Sequence, residues 1–403
     1  MTCIGSTSSP VRHSNPPCPE RCSGATARSP RWQRRSGGFS LIELMIAVVL
    51  GLLVVAGLIN LFVANRKSYQ VQSGNNFLQE DLRIASDRIG WSLRMADFWG
   101  GNQASSVVVG TAASGVVAAN GNCNGAWATA VTSATVAGGG GVFGYDGAAA
   151  FPFDAACIGG AANYVSGSDV LVLRFADPQV LSPGPAVVNV TPAESSTIVN
   201  NPKEIFVLST PSIQAQLFPG SVVPTPPNST LATYAYPYEV DMYYLRPCSV
   251  APATGVCVAG ADGGLPLPTL MRMHLLVDGT WANDAVVDGI EQMKVEYGVA
   301  TDLTNNVVPT YRTATFVTTN NLWANVISVR VSLVAVNPVR DITLPHTQAF
   351  TLGTIGACGY VINNGAAPDT AGCPNFTPYG DNPWQFVRTS QQFVVQLRNR
   401  TTG

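Results

Sequence analysis

The chain has 403 residues, which is enough to bury a substantial core and permits one large domain or two to three smaller ones. Charged residues make up 11% of the sequence and hydrophobic residues 46%, while glycine and proline together occupy 67 positions. This composition is typical of a turn-rich β protein attached to an apolar segment, and it disfavours nucleic-acid binding.

The net charge of −2 conceals an asymmetry along the chain. Residues 1–38 contain six arginines and one acidic residue, Glu20, for a balance of +5, which leaves −7 on the remainder. A basic stretch before an apolar segment is retained on the cytoplasmic side of a membrane. We therefore expect the N-terminus in the cytoplasm and the C-terminal part in the periplasm or outside the cell.

The apolar segment (residues 41–64) is long enough for a membrane helix, since about 24 residues rise roughly 36 Å. A secretory signal peptide has a shorter apolar core followed by a small-residue cleavage site, so that alternative is disfavoured. A plain membrane anchor explains the length but not Glu43, the one charge in the segment. Because an ionised carboxylate in a bilayer costs at least about 2.5 kcal/mol, Glu43 requires a partner.

Cleavage between Gly38 and Phe39 would supply that partner, because the new α-amino group of Phe39 is close to Glu43, the fifth residue of the shortened chain. Residues 37–44, GGFSLIEL, resemble the class III signal of type IV prepilins and pseudopilins. The resemblance implies that a prepilin peptidase removes residues 1–38 and N-methylates Phe39, leaving residues 39–65 as a transmembrane and filament-core helix.

Past the membrane, the helix is expected to continue as an amphipathic stem (residues 66–100) that ends near Trp99–Gly100–Gly101. Residues 73–76, Ser-Gly-Asn-Asn, are expected to form a point where the helix hinges or unwinds locally. Apolar residues recur at spacings of three and four along one face of the stem: Leu78, Leu82, Ala85, Ile89, Leu93 and Ala96.

The head (residues 101–403) is rich in short apolar alternations that predict strands. Strands that follow one long helix predict an α+β fold in which the stem packs on an antiparallel sheet or sheets. The predicted strands are 169–175, 204–208, 240–245, 272–277, 292–297, 326–333 and 392–397. The predicted long loops, rich in glycine and proline, are 101–165, 178–203, 215–235 and 357–385.

Cysteine usage agrees with a head outside the cytoplasm, because six of the nine cysteines follow the leader and an even number favours disulfides. Free thiols and a zinc site are the alternatives, and the lack of a CxxC motif disfavours zinc. Fifteen pairings are open in principle. Since short loops cost least to close, we expect three local disulfides: Cys123 with Cys157, Cys248 with Cys257, and Cys358 with Cys373.

The sequence contains no recognisable catalytic, cofactor or metal motif. Residues 139–144 fit GxGxxG but lack the following helix that a dinucleotide site needs, so we interpret them as a flexible loop. His13, His274 and His346 have no cysteine or histidine partner at ligand spacing. We expect neither an enzyme nor a bound cofactor or metal, and no nucleic-acid partner.

Four segments along the chain resemble the PilW family of minor pilins: residues 77–100, 168–171, 287–298 and 397–400. The resemblance implies a type IV pilin-like fold with disulfide-restrained loops, and a role in priming pilus assembly at or near the tip. The implied partners are the prepilin peptidase, other minor pilins, the major pilin, the inner-membrane assembly platform and a tip-associated adhesin. The implied location is the inner membrane, with a periplasmic head, and then the surface pilus.

Two alternatives share this N-terminus. One is a pseudopilin of a type II secretion system, which serves protein export. The other is a pilus-tip adhesion or DNA-uptake module, in which the long loops of the head contact a ligand.

Overall fold

The computed structural model describes residues 38, 40–118, 123–131, 140–179, 181, 196–225, 231–250, 254–300, 309–341, 347–355 and 358–400. The chain divides into two compact units, Met1–Asn65 and Arg66–Gly403. Helix α1 (Leu41–Met95) is 55 residues long and contributes to both.

The stem is helical as far as Met95, five residues short of the boundary predicted at residue 100. It ends where Asp97, Gly100 and Gly101 adopt φ angles of 65°, 64° and 88°, a left-handed conformation that cannot continue a helix. Residues 73–76 remain helical, so the expected local unwinding is not seen. A Cβ on Gly74 would collide with the Asn337 side chain, and the glycine therefore permits a close approach between the stem and the head.

The strands and shorter helices of the head, in chain order, are β1 (Val107–Val109), α2 (Thr111–Ala118), β2 (Val142–Tyr145), β3 (Val170–Ala176), α3 (Ser196–Asn200), β4 (Ile205–Thr210), β5 (Gln214–Pro219), β6 (Tyr234–Arg246), β7 (Thr269–Leu275), β8 (Trp281–Asp288), β9 (Ile290–Val299), β10 (Thr310–Arg312), α4 (Ala314–Thr319), β11 (Val326–Arg340), β12 (Gln348–Leu352), β13 (Cys358–Ile362) and β14 (Phe386–Gln396).

These strands form one eight-stranded sheet, one four-stranded sheet and a two-stranded hairpin. The first sheet has the order β1-β5-β4-β6-β3-β2, and β7 joins it through β6 and carries β8 on its other side. The second has the order β10-β9-β11-β14, and β12 pairs with β13. Every pairing is antiparallel except β1 with β5, so the expectation of antiparallel sheets is confirmed with one parallel exception.

All seven predicted strands are present, as β3, β4, β6, β7, β9, β11 and β14. The predicted loops contain further structure, because β1, α2 and β2 lie within residues 101–165 and β13 lies within 357–385. β2 includes half of the GxGxxG stretch, so the interpretation of that stretch as a flexible loop is wrong for Val142–Gly144. Parts of these loops, including 182–195 and 226–230, lie outside the described residues.

One large hydrophobic core unites the stem with both sheets, and it includes Leu78 and Ile89 of the stem together with β3 and β9. β9 is buried at all ten positions because it lies under neighbours on both of its faces. A smaller cluster beneath the hairpin contains Tyr360, Phe376 and the Cys358–Cys373 disulfide.

Candidate functional site: an apolar helix and a fixed stem

The apolar segment exposes its side chains on every side. Seventeen large hydrophobic residues between Leu41 and Val63 are 47–77% exposed. By length and composition, α1 is apolar enough to cross a membrane. Burying each such side chain is worth about 1.5 kcal/mol or more, so this surface favours lipid or another apolar helix by on the order of 25 kcal/mol.

Glu43 lies in the first turn of α1, the end of a helix that favours negative charge. Gly38 precedes the helix and is exposed, and the Ser40 carbonyl accepts a hydrogen bond of 3.1 Å from the Leu44 amide. Phe39 lies outside the described residues. The Glu43 carboxylate is therefore on the exposed first turn of α1, five residues after Gly38.

The face of the stem predicted to be apolar is buried against the head. Leu78, Leu82, Ala85, Ile89 and Leu93 are all at most 2% exposed. Their burial confirms the amphipathic pattern, and it makes the stem part of the core of the head.

A polar contact fixes the register of the stem on the first sheet. Ser92 Oγ donates a 2.6 Å hydrogen bond to the buried carboxylate of Asp241 and lies 2.8 Å from the Tyr243 hydroxyl, both on β6. Arg272 of the neighbouring β7 is paired with the same carboxylate at 2.6 Å. Because a buried polar group costs free energy when unpaired, sliding the stem along the sheet would break this network.

The C-terminal end of the stem helix is fastened by residues that come three hundred positions later. Asn399 Nδ2 donates to the carbonyl oxygens of Arg94, Met95 and Ala96 at 3.0–3.4 Å. These are carbonyls that a helix end leaves without partners, so Asn399 acts as a cap.

An ion pair next to this cap also joins the end of the stem to the C-terminal segment. Arg400 pairs with Asp97, and Asp97 also accepts hydrogen bonds from the Gly141 amide and, at 3.0 Å, from the Trp99 indole. Gly141 is required here, because a Cβ would meet the Asp97 backbone and the Arg174 carbonyl. The sequence offered no spacing signal for these contacts, although both segments belong to the resemblance described above.

Three buried carboxylates bind loop segments of the head. Two of them lie on the four-stranded sheet and the third lies next to it. Glu291 forms a two-pronged pair with Arg388 at 2.6 and 3.0 Å and accepts from the Tyr379 amide at 2.6 Å. Glu296 pairs with Arg330 at 3.0 Å and accepts from the Thr354 amide at 2.7 Å. Both glutamates are on β9, so this strand anchors the segments that follow β12 and β13.

The third carboxylate, Asp169, precedes β3 and contacts β9. It pairs with Lys294 at 2.8 Å and accepts hydrogen bonds from the Gly147 and Val295 amides, each at 2.7 Å. Burial raises the pKa of Asp169 to about 6, even though the Lys294 ammonium opposes the rise.

The six cysteines of the head form three disulfides in the structure, Cys123–Cys157, Cys248–Cys257 and Cys358–Cys373. They close loops separated by 34, 9 and 15 residues, each next to a segment with little regular structure. Closing such loops stabilises a fold mainly by restricting the unfolded chain.

Within the described ranges, no group of three or more histidine, cysteine, aspartate or glutamate residues is arranged to hold a metal ion. His274 lies 2.8 Å from Asp284 across β7 and β8, a pairing between neighbouring strands. His13 and His346 lie outside the described residues.

Comparison with protein families gives two matches. The family model for Type IV Pilus-assembly protein W matches residues 256–399, which run from before β7 to Asn399. The model for the Prokaryotic N-terminal methylation motif matches residues 33–59, which contain Gly38, Phe39 and Glu43. Searches of curated proteins and of solved structures found no match. The two family matches favour neither a secretion pseudopilin nor a pilus-tip adhesion or DNA-uptake module.

Proposed function

We propose that this chain, a PilW-like type IV prepilin and minor pilin of type IV pilus assembly, primes the pilus and is held at or near the tip. The observation that carries this proposal is the combination, on one chain, of a methylation-motif helix with an exposed apolar surface and a head of which residues 256–399 match the pilus-assembly family. Its role is that of a structural subunit, and its partners are other components of the pilus.

For processing, we propose that a prepilin peptidase removes residues 1–38 by cutting after Gly38 and methylates the new N-terminus at Phe39. The exposed position of Gly38 ahead of α1 supports access by the peptidase. The new amine and the Glu43 carboxylate carry opposite charges, and their pairing, within one subunit or between neighbours, would offset the cost of a charge in an apolar environment.

For location, we propose that residues 39–65 hold the protein in the inner membrane in a single pass, with the stem and head in the periplasm, before it enters the surface pilus. The basic leader and the three disulfides support this orientation, because basic residues favour the cytoplasmic side and disulfides persist in oxidising compartments. In the inner membrane it would meet the assembly platform.

In the filament, burial of apolar helix against the helices of other minor pilins and the major pilin drives assembly. Glu43 registers one subunit against the N-terminus of the next. The head, with the stem packed on it, is then available at the tip for a tip-associated adhesin.

Variants of Glu43 and Gly38 test the assembly proposal. Glu43→Ala is expected to reduce surface piliation at normal membrane levels of the protein, whereas Gly38→Ala is expected to retain the leader as well. Glu80→Ala is the matched control, since it removes an exposed glutamate of the same helix whose ion pair, among the described residues, is with Arg83. Normal pili in the Glu43→Ala or Gly38→Ala strain, with the protein present at wild-type levels, would contradict the proposal.

Placement at the tip has its own test. Immunogold labelling of the head on sheared pili is expected to mark one end of each filament. Label spread evenly along the shaft would overturn the tip assignment and leave the processing proposal standing.

A further inference from the structure

The four-stranded sheet ends in an unusually long outer strand. β14 has eleven residues and pairs with β11 along one side. In the sheet order it has no further strand on its other side within the part of the chain that the structure describes. Its second edge is therefore a candidate for strand pairing with another chain.

The register shows which backbone groups face that edge. The Leu397 amide donates to the Ile327 carbonyl at 2.8 Å, and Ser328 lies opposite Gln396. Because successive residues of an antiparallel pair alternate in the direction of their backbone groups, every second residue before Leu397 points away from β11. The outward-facing residues are Ser390, Gln392, Val394 and Gln396.

These four residues are also open to solvent. All four are exposed, and Val394 is 53% exposed. Among the described residues, the backbone hydrogen bonds of this stretch run to β11 alone. The outer edge thus presents four amides and four carbonyls in a row, about 7 Å between successive outward-facing residues.

The edge lacks the features by which proteins usually block strand addition, which are charges, prolines, bulges or short length. Nine consecutive residues between Arg388 and Arg398 carry neither a charge nor a proline. The other outer strands of the two sheets are shorter or charged: β1 and β10 have three residues each, β2 has four, and β8 exposes Asp284 and Asp288 beside a register shift.

A two-fold related copy of this chain does not fit as the occupant. Asn337 of β11 lies at Gly74, Val395 approaches Gly90, and Asn399 caps the helix at Ala96, so β14 runs in the same direction as the stem. A two-fold related copy would pair antiparallel and reverse its stem. Two subunits held in one membrane as proposed above would carry α1, a continuous helix, in the same direction.

We propose that the outer edge of β14 is a docking site for an extended segment of a different polypeptide, which adds to the sheet as a fifth strand. Backbone hydrogen bonds to Ser390, Gln392, Val394 and Gln396 supply the affinity. The uncharged edge selects a segment with few charges and alternating side chains. The choice of occupant rests on the proposed membrane location, but the inference does not depend on priming or on placement at the tip.

Hydrogen exchange on the purified full-length protein in detergent tests the proposal. The probe is a synthetic peptide that copies residues 388–398, RTSQQFVVQLR, with blocked ends; it supplies an uncharged strand with an arginine at each end for solubility. The amides of the four outward-facing residues are expected to exchange rapidly in the protein alone and to slow by about tenfold or more when peptide is added.

Three variants provide the controls. Val394→Pro removes an outward donor while leaving the bonds to β11, and Val394→Lys adds a charge to the edge; each is expected to weaken peptide binding by about tenfold without unfolding the head. Val394→Thr keeps the strand and is expected to bind as the wild type does.

The result can overturn the proposal in three ways. The first is slow exchange of the outward amides without peptide, at the rate of the odd-numbered neighbours, because the edge would then already be covered. The second is unchanged exchange at the highest soluble peptide concentration. The third is dimerisation of the full-length chain that Val394→Pro abolishes, because the occupant would then be a second copy.

Discussion

Removal of Arg388 is expected to destabilise the head more than any surface charge substitution. Arg388 and Glu291 are 0% and 1% exposed, and two hydrogen bonds of 2.6 and 3.0 Å join them. The guanidinium also donates to the carbonyl oxygens of Phe386 and Tyr379 at 3.0 and 3.1 Å. Arg388→Ala would leave a buried carboxylate without its cation and these carbonyls without their donor.

Breaking a buried ion pair by removing one partner costs about 3–5 kcal/mol, and the abandoned carbonyls place Arg388→Ala in the upper part of that range. Glu291→Gln is expected to cost less, because the amide oxygen still accepts from the Tyr379 backbone. In a double-mutant cycle the two substitutions are expected to show a coupling of about 1–3 kcal/mol.

The assay is urea unfolding of the full-length protein in detergent, followed by tryptophan fluorescence. The control pair is Arg83 and Glu80, which are 3.1 Å apart but 67% and 54% exposed. An exposed pair of this kind contributes about 0–1 kcal/mol. If Arg388→Ala cost no more than Arg83→Ala, or if the cycle showed no coupling, the account of the Glu291 carboxylate as an anchor would be refuted.

Two further predictions concern the stem and the pH dependence of the head. Ile89→Ala is expected to lower the unfolding free energy by about 2–5 kcal/mol and Ile84→Ala by less than about 1 kcal/mol. The reason is that Ile89 is 0% and Ile84 41% exposed on the same helix. Equal losses of unfolding free energy in urea would contradict the packing of the stem. Burial, assisted by Asp241, raises the pKa of Glu239 to about 7, and burial raises that of Asp169 to about 6. Since these folded-state values exceed those of an unfolded chain, the folded state binds protons more tightly between about pH 4 and 7, and the unfolding free energy should rise as pH falls through this window. Glu239→Gln is expected to flatten the rise, and an unchanged pH profile would count against the burial of this carboxylate.

The sequence was most informative where one physical signal dominated a long segment. The apolar segment and the three-and-four spacing of Leu78, Leu82 and Ile89 were sufficient to predict α1 and its buried face. The strands predicted correctly include the buried ones, β3 and β9, whose apolar runs leave little alternative.

The strands that were missed are short or polar, or are fixed by distant partners. β8 reads WANDAVVD, and its asparagine and aspartate resemble a turn until β7 is present beside it. β1 has three residues and forms only by parallel pairing with β5, more than a hundred positions away. A local sequence pattern cannot predict pairing with such a strand.

The same limit applies to the contacts that fix the stem. Gly74 and Gly141 read as flexible residues, but each is a place where another part of the chain approaches too closely for a side chain. Asn399 and Arg400 reach the end of the stem across three hundred residues, so their function as a cap and an ion pair depends on the completed fold.

Mass spectrometry of the mature protein isolated from the membrane and from pili tests the central claim most directly. The account predicts that the N-terminus is Phe39, that it carries one methyl group on its α-amine, and that residues 1–38 are absent. An N-terminus at any residue other than Phe39, or a mature protein that keeps the Gly38–Phe39 bond, would contradict it.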